Sequence, residues 1–149
     1  VMYPVETDMT VFYRRLASLP LDRTPDELTD SVLDTLTDAC YRPEQMTTDY
    51  RATAITWLQR YRDRVRLEGI SDADRRVRMN AVNPKYVLRN YMAQLAIDKA
   101  DLGDYSLISD LLELLRYPYD EQPDKEQFAI KRPDWARERS GCSMLSCSS

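Results

Sequence analysis

The sequence predicts an all-α fold: a bundle of about six helices followed by an irregular, proline-containing arm. Three observations carry this. Through most of the first 116 residues apolar side chains recur at intervals of three and four, the spacing of one helix face. Capping residues and glycines punctuate those runs where helices begin and end. No stretch reads convincingly as a strand.

Asp8 to Ser18 places Met9, Phe12, Tyr13 and Leu16 on one side at helical spacing. Thr24-Pro25-Asp26-Glu27 opens a second helix, with threonine as cap, proline in the first turn and glutamate three residues after the cap. Its buried stripe is Leu28, Val32, Leu33, Leu36, Ala39 and Cys40, where the cysteine behaves as a small apolar residue. The longest helix is expected from about Pro43 to Leu67, with Tyr50, Ala54, Trp57, Leu58, Tyr61 and Val65 on one face and Gly69 as its stop. Ser71-Asp72-Ala73-Asp74 starts a short basic helix that ends at Val82.

Asn83-Pro84 is expected both to end that helix and to open the next. Proline pushes the residue before it out of the helical region, and it is tolerated in a first turn with Asn83 as cap. The fifth helix carries Tyr86, Val87, Leu88, Tyr91, Met92, Leu95, Ala96 and Ile97 over a broad arc and closes at Gly103. Such breadth predicts burial on more than one side. A sixth, Ser106 to Arg116, is dense in leucine and again predicts more than one neighbour. These helices make a bundle over residues 1–116. Prolines 118, 123 and 133 among scattered charges then predict an arm and tail over 117–149, anchored by Tyr119, Phe128 and Trp135.

Composition bounds the function. The chain has 149 residues, 21 basic and 25 acidic, and net charge −4, which opposes nonspecific binding to nucleic acid or an anionic membrane. Arg60, Arg62, Arg64, Arg66, Arg75, Arg76 and Arg78 form a basic stretch broken by acids. It reads as a solvated helix face or a surface pairing with an acidic part of the same protein, and it lacks the interleaved aromatics of a nucleic-acid binder. No apolar run approaches the roughly 20 residues that span a bilayer. Three cysteines make no disulfide framework, which implies a reducing, intracellular compartment. Histidine is absent, removing imidazole as base, metal ligand or triad member. Gly69, Gly103 and Gly141 are too far apart for a phosphate-cradling loop, and the kinase sequence signatures are missing. The start at Val1-Met2 with no basic-then-apolar leader reads as a truncated piece rather than a secreted precursor.

The last ten residues hold two of the three cysteines, Cys142 and Cys147, among glycine and small serines. That setting predicts mobile, accessible thiols which packing does not explain. A thiolate is the reactive form, and Arg137 and Arg139 lie near enough in sequence to favour it. The spacing is neither Cys-x-x-Cys nor a zinc pair, so an inert end stands as the alternative. Asp120 and Glu121 are the one paired carboxylate. A metal site needs ligands converging from several elements, and the pair is expected instead in a turn, bonding backbone amides or meeting Arg89 or another arginine. Arg89 and Asn90 are expected to fix neighbouring loops.

Asn83-Pro84-Lys85-Tyr86-Val87-Leu88-Arg89-Asn90-Tyr91, then Ala96-Ile97-Asp98-Lys99-Ala100, Arg116-Tyr117-Pro118-Tyr119-Asp120-Glu121-Gln122-Pro123, Pro133-Asp134-Trp135 and the closing Ser146-Cys147-Ser148-Ser149 occur in the order of the carboxyl end of the selenoprotein O family. The chain resembles that family strongly from about Tyr50 onward and corresponds to only the closing portion of a full-length member. The resemblance implies part of a protein-kinase-like fold and a protein adenylyltransferase, which moves AMP from ATP to Ser, Thr or Tyr hydroxyls with magnesium or manganese. It implies that the catalytic, nucleotide-binding and metal-binding residues lie upstream, so none is assigned here. Asn83, Pro84, Tyr86, Arg89, Asn90, Tyr91, Tyr119, Asp120, Glu121 and Trp135 carry the structural motif. Some members have selenocysteine at the position of Cys147, which implies a redox element there, joined by Cys142 as second candidate. The implied partners are the N-terminal kinase-like region of the same protein and the protein substrates. The implied location is the bacterial cytoplasm, or the mitochondrion in a eukaryote. A free-standing helical interaction module and a small thiol oxidoreductase are the two other readings; the latter lacks a resolving Cys-x-x-Cys.

Overall fold

A computed structural model describes residues 4–21 and 30–142. Among them are six α-helices: α1 (Met9–Ser18), α2 (Asp30–Asp34), α3 (Thr48–Glu68), α4 (Asp72–Val82), α5 (Asn90–Asp101) and α6 (Ser106–Arg116). Short 3-10 turns follow α2, precede α3 and recur in the arm. No strand is present among the described residues; one isolated antiparallel bridge joins Thr7 to Cys40. The fold is all-α, as the periodicity predicts.

Local chemistry sets most of the boundaries. The Asp8 carboxylate accepts the Val11 N–H at 3.1 Å and the Tyr41 O–H at 2.7 Å, so it caps α1 and ties it to the segment after α2. Ser71 caps α4 by accepting the Asp74 N–H at 3.1 Å. Gly69 ends α3 in the left-handed region, φ +64°. The Thr24–Glu27 opening and Leu28 lie outside the described residues; α2 is followed by a 3-10 turn over Thr37–Ala39.

Two expected helix starts are corrected. The long helix begins at Thr48 rather than near Pro43, because Pro43–Gln45 forms a separate 3-10 turn and Thr47 caps α3 by accepting the Tyr50 N–H at 3.2 Å. The fifth helix begins at Asn90, not at Pro84. Pro84 does hold Asn83 extended (φ −114°, ψ 108°) and so stops α4. The next residues are drawn into other bonds: the N–H groups of Lys85 and Tyr86 both donate to the Pro118 carbonyl, at 2.7 and 3.1 Å. Held by the arm, they cannot enter a helical first turn.

The chain divides into two compact units at Pro84/Lys85, within the stretch that the sequence presents as one bundle. In the first, Phe12, Leu16, Leu33, Leu36, Ala54, Leu58 and Val65 form the core from α1, α2, the turn after α2, and α3. The Arg75 guanidinium of α4, 3% exposed, donates to the carbonyls of Leu16, at 2.9 Å, and Leu19, and also pairs with Asp72. It thereby adds donors to carbonyls at the C-terminal end of α1, where the Leu16 carbonyl also accepts the capping Leu19 N–H at 3.3 Å.

In the second unit, α5 and α6 pack with the arm around Tyr86, Tyr91, Met92, Leu111, Leu114, Ala136 and Cys142. The expected arm anchors are only partly those observed. Phe128 packs against this core, but Tyr119 and Trp135 stay 45% and 49% exposed. Ala136 and Cys142, fully or almost fully buried, hold the arm instead.

Candidate functional site

Part of the sequence motif meets where the non-helical segment Lys85–Arg89 joins the arm. Tyr86 is 1% exposed, and its hydroxyl donates to the Gln122 carbonyl at 3.0 Å. The Gln122 amide donates in turn to the carbonyls of Leu114 and Tyr117, at 3.1 and 2.9 Å, closing the last turn of α6. Lys85 reaches Glu121 and Glu126 with one ammonium and lies over the Tyr86 ring at 5.6 Å. Burial alone would lower the Lys85 pKa; the two carboxylates outweigh it and raise the value above the ordinary one.

This arrangement decides what the paired carboxylate does. Glu121 meets Lys85, and Asp120 donates its N–H to the Tyr117 carbonyl at 3.2 Å in a turn. The two carboxylates that do come together, Glu121 and Glu126, share the Lys85 ammonium. Among the described residues no group of three or more His, Cys, Asp or Glu is placed to hold a metal. No reaction step is assigned to these side chains.

The remaining motif residues have other partners. Asn83 donates its side-chain amide to the Met79 carbonyl at 2.7 Å, at the end of α4. The Arg89 carbonyl receives the N–H groups of Met92 and Ala93 at the start of α5, and the half-buried Asn90 is its first residue. Tyr91 meets Trp135 edge-on, ring centroids 6.0 Å apart, while the Arg139 guanidinium lies 6.0 Å from the Trp135 ring. Lys85, Gln122 and Arg75 do more than the sequence suggests. Lys85 and Gln122 fall inside the motif segments, but their residue types alone do not announce these contacts.

The tail is corrected in part. Cys142 is 2% exposed, packed in the core of the second unit, rather than mobile and accessible. Gly141 turns the chain toward it with φ +79°, and Arg139, pairing with Asp98, holds the segment against α5. The Asp98 carboxyl is lowered by a hydrogen bond from Gln94, against some burial, and by Arg139. Cys147 lies outside the described residues.

In the first unit Phe12, Leu33, Cys40, Tyr50, Trp57 and Leu58 line an apolar pocket of about 350 Å³, counting its open side. The Cys40 thiol faces the Leu36 carbonyl at 3.8 Å. Burial, and then the neighbouring Cys40, raise the Tyr50 pKa. Trp57 stacks on Tyr61 with centroids 5.7 Å apart, extending the aromatic wall.

Relatives at about half identity run over almost the whole of this chain. The chain belongs to the selenoprotein O family, represented by proteins named protein nucleotidyltransferase YdiU. It is 55% identical over 150 residues to that of Rhodopirellula baltica, a match covering 97% of this chain and 28% of the relative. It is 52% identical over 144 residues to that of Aromatoleum aromaticum (97% and 26%) and 50% identical over 149 residues to that of Tolumonas auensis (100% and 27%). No family model matches. The chain thus spans little more than a quarter of the length of the curated relatives it matches.

Proposed function

We propose that this chain is the carboxyl-terminal helical region of a protein adenylyltransferase, which transfers AMP from ATP to Ser, Thr or Tyr hydroxyls of other proteins. In this reading the chain is scaffold, not reaction centre. The observation that carries it is the identity of about half of all positions, over 97% or more of the chain, with relatives named protein nucleotidyltransferase. The use of the motif residues supports the scaffold role. Tyr86 bonds the Gln122 carbonyl, Gln122 bonds the end of α6, and Lys85 pairs with Glu121, so these groups tie segments of the chain together.

Nucleotidyl transfer depends on metal ions and cationic groups that hold the phosphates and neutralise developing charge. ATP and magnesium or manganese therefore fall to the remaining length of the protein, with the kinase-like region as the partner of this one. The same reading makes Cys147 a redox element of the whole protein and places that protein in the bacterial cytoplasm. Among the described residues no helix is long and apolar enough to cross a membrane.

The test compares the whole protein with residues 1–149, using ATP labelled on its adenine portion and a panel of acceptor proteins. Label should pass to protein with the whole enzyme and magnesium or manganese, and not with residues 1–149. Saturable micromolar binding of Mg-ATP to residues 1–149, measured by calorimetry, would overturn the scaffold reading. For the redox part, reductant should raise the activity of oxidised wild-type enzyme but not that of Cys147→Ser. Indifference of the wild type to reductant would leave the tail inert.

A further inference from the structure

Helix α6 carries apolar residues over about half its circumference, and only one side of that arc is used within the chain. At about 100° per residue, Leu107, Leu111, Leu114 and Leu115 fall together, and all four pack in the core of the second unit. Tyr105, Ile108 and Leu112 continue the arc at spacings of three and four, yet they are 64%, 46% and 56% exposed. Ser109, Asp110, Glu113 and Arg116 occupy the remaining sector, so the helix has a polar face of its own and the stripe is not it. The exposure is part of a wider bias. Among the described residues, ten of the fourteen exposed large hydrophobics lie in the second unit.

Apolar surface left in a continuous stripe marks an interaction site. Three half-exposed side chains amount to a few hundred Å² at most, below the roughly 800 Å² per partner of a stable complex between separate molecules. A tethered partner needs less area, because the link replaces free association with an effective concentration of about millimolar. The relatives supply such a partner, since this chain covers only 26–28% of their length.

We propose that the Tyr105–Ile108–Leu112 stripe is the seat on which the preceding, nucleotide-handling part of the same polypeptide docks, through an apolar surface of its own. This rests on the reading of the chain as one region of a longer nucleotidyltransferase, and it adds which face makes the joint. The stripe, with the buried side of α6 behind it, couples the core of the second unit directly to that region.

The test uses the whole protein, with Ile108→Cys and Leu112→Cys made singly. Maleimide labelling is followed peptide by peptide, and the rate in urea serves as the exposed reference. The docked stripe should label at least about tenfold more slowly in the native protein than in urea, since a covered site reacts only when its contact opens, and this ratio should not change on dilution. Labelling at nearly the urea rate overturns the proposal. So does protection that vanishes on dilution, which would make a second copy the occupant. Hydroxyl-radical oxidation of Tyr105 in the unsubstituted protein gives the same readout without any variant. AMP transfer measured on the same preparations separates the two readings. A protected stripe without transfer keeps the docking and removes the activity, whereas transfer with a freely labelled stripe does the reverse.

Discussion

Gly141 occupies a backbone conformation, φ +79°, that L side chains rarely adopt, and a Cβ at this position would collide with the side-chain amide of Gln94. Gly69 shares the conformation, φ +64°, but has open space around it. The two therefore separate strain from collision. Gly69→Ala is expected to cost about 1 kcal/mol, the backbone term alone. Gly141→Ala should cost more than that by urea denaturation, and should let Cys142 alkylate faster by releasing it from the core. Equal costs, with Cys142 still shielded, would mean that Gln94 moves aside freely. The buried fate of Cys142 was not legible in the sequence. A glycine, two serines and a cysteine look like a loose end, and only the fit of a small side chain beside α5 shows otherwise. Arg62 and Arg75 mislead in the same way: they stand in a stretch that reads as a solvated basic face, yet they are 6% and 3% exposed.

At the scale of elements, ends were less legible than existence. α1, α4 and α6 start and stop within a residue of their expected bounds because caps and breakers are local signals. The start of α5 moved by several residues because the Lys85 and Tyr86 amides bond to Pro118, a partner more than thirty residues away that no local signal announces. Arg75 makes the corresponding long-range link for α1. Replacing it by methionine keeps the length and removes the donors, leaving the Leu16 and Leu19 carbonyls without these bonds. The expected loss is about 2–3 kcal/mol of stability by urea denaturation, and a loss under half a kilocalorie would sink this account of the α1 end. The start of α6 is pH-dependent. Asp104 accepts hydrogen bonds from the Ser106 side chain and N–H and pairs with Lys99, which lowers its pKa from 3.8 to about 2. The folded value lies below the unfolded one, so the contribution is complete above about pH 4 and is lost as pH falls toward 2. An NMR titration should place the Asp104 carboxyl near 2, and Asp104→Asn should flatten the stability loss over that window. A midpoint near 4 would remove Asp104 from the start of α6.

For the whole molecule, charge balance rather than any single patch governs encounter with polyanions. The seven arginines from Arg60 to Arg78 invite a nucleic-acid reading when counted along the sequence. The fold removes several from the surface or neutralises them: Arg75 is buried with Asp72, Arg62 is buried beside Asp63, and Arg64 pairs with Glu68. Elsewhere Arg51 bridges Asp30 and Asp34, and Lys85 bridges Glu121 and Glu126, so much of the positive charge already has a carboxylate partner. With net charge −4, neutralising phosphates would first require breaking such pairs and would release few counterions in return. The chain should therefore pass through immobilised heparin at about 0.15 M salt, where charges beyond about 8 Å are screened. Arg76→Glu with Arg78→Glu should leave that elution unchanged. If the wild-type chain instead binds, and elutes earlier in a salt gradient once those two arginines are reversed, the exposed face of α4 is a polyanion site and the solvated reading of it fails.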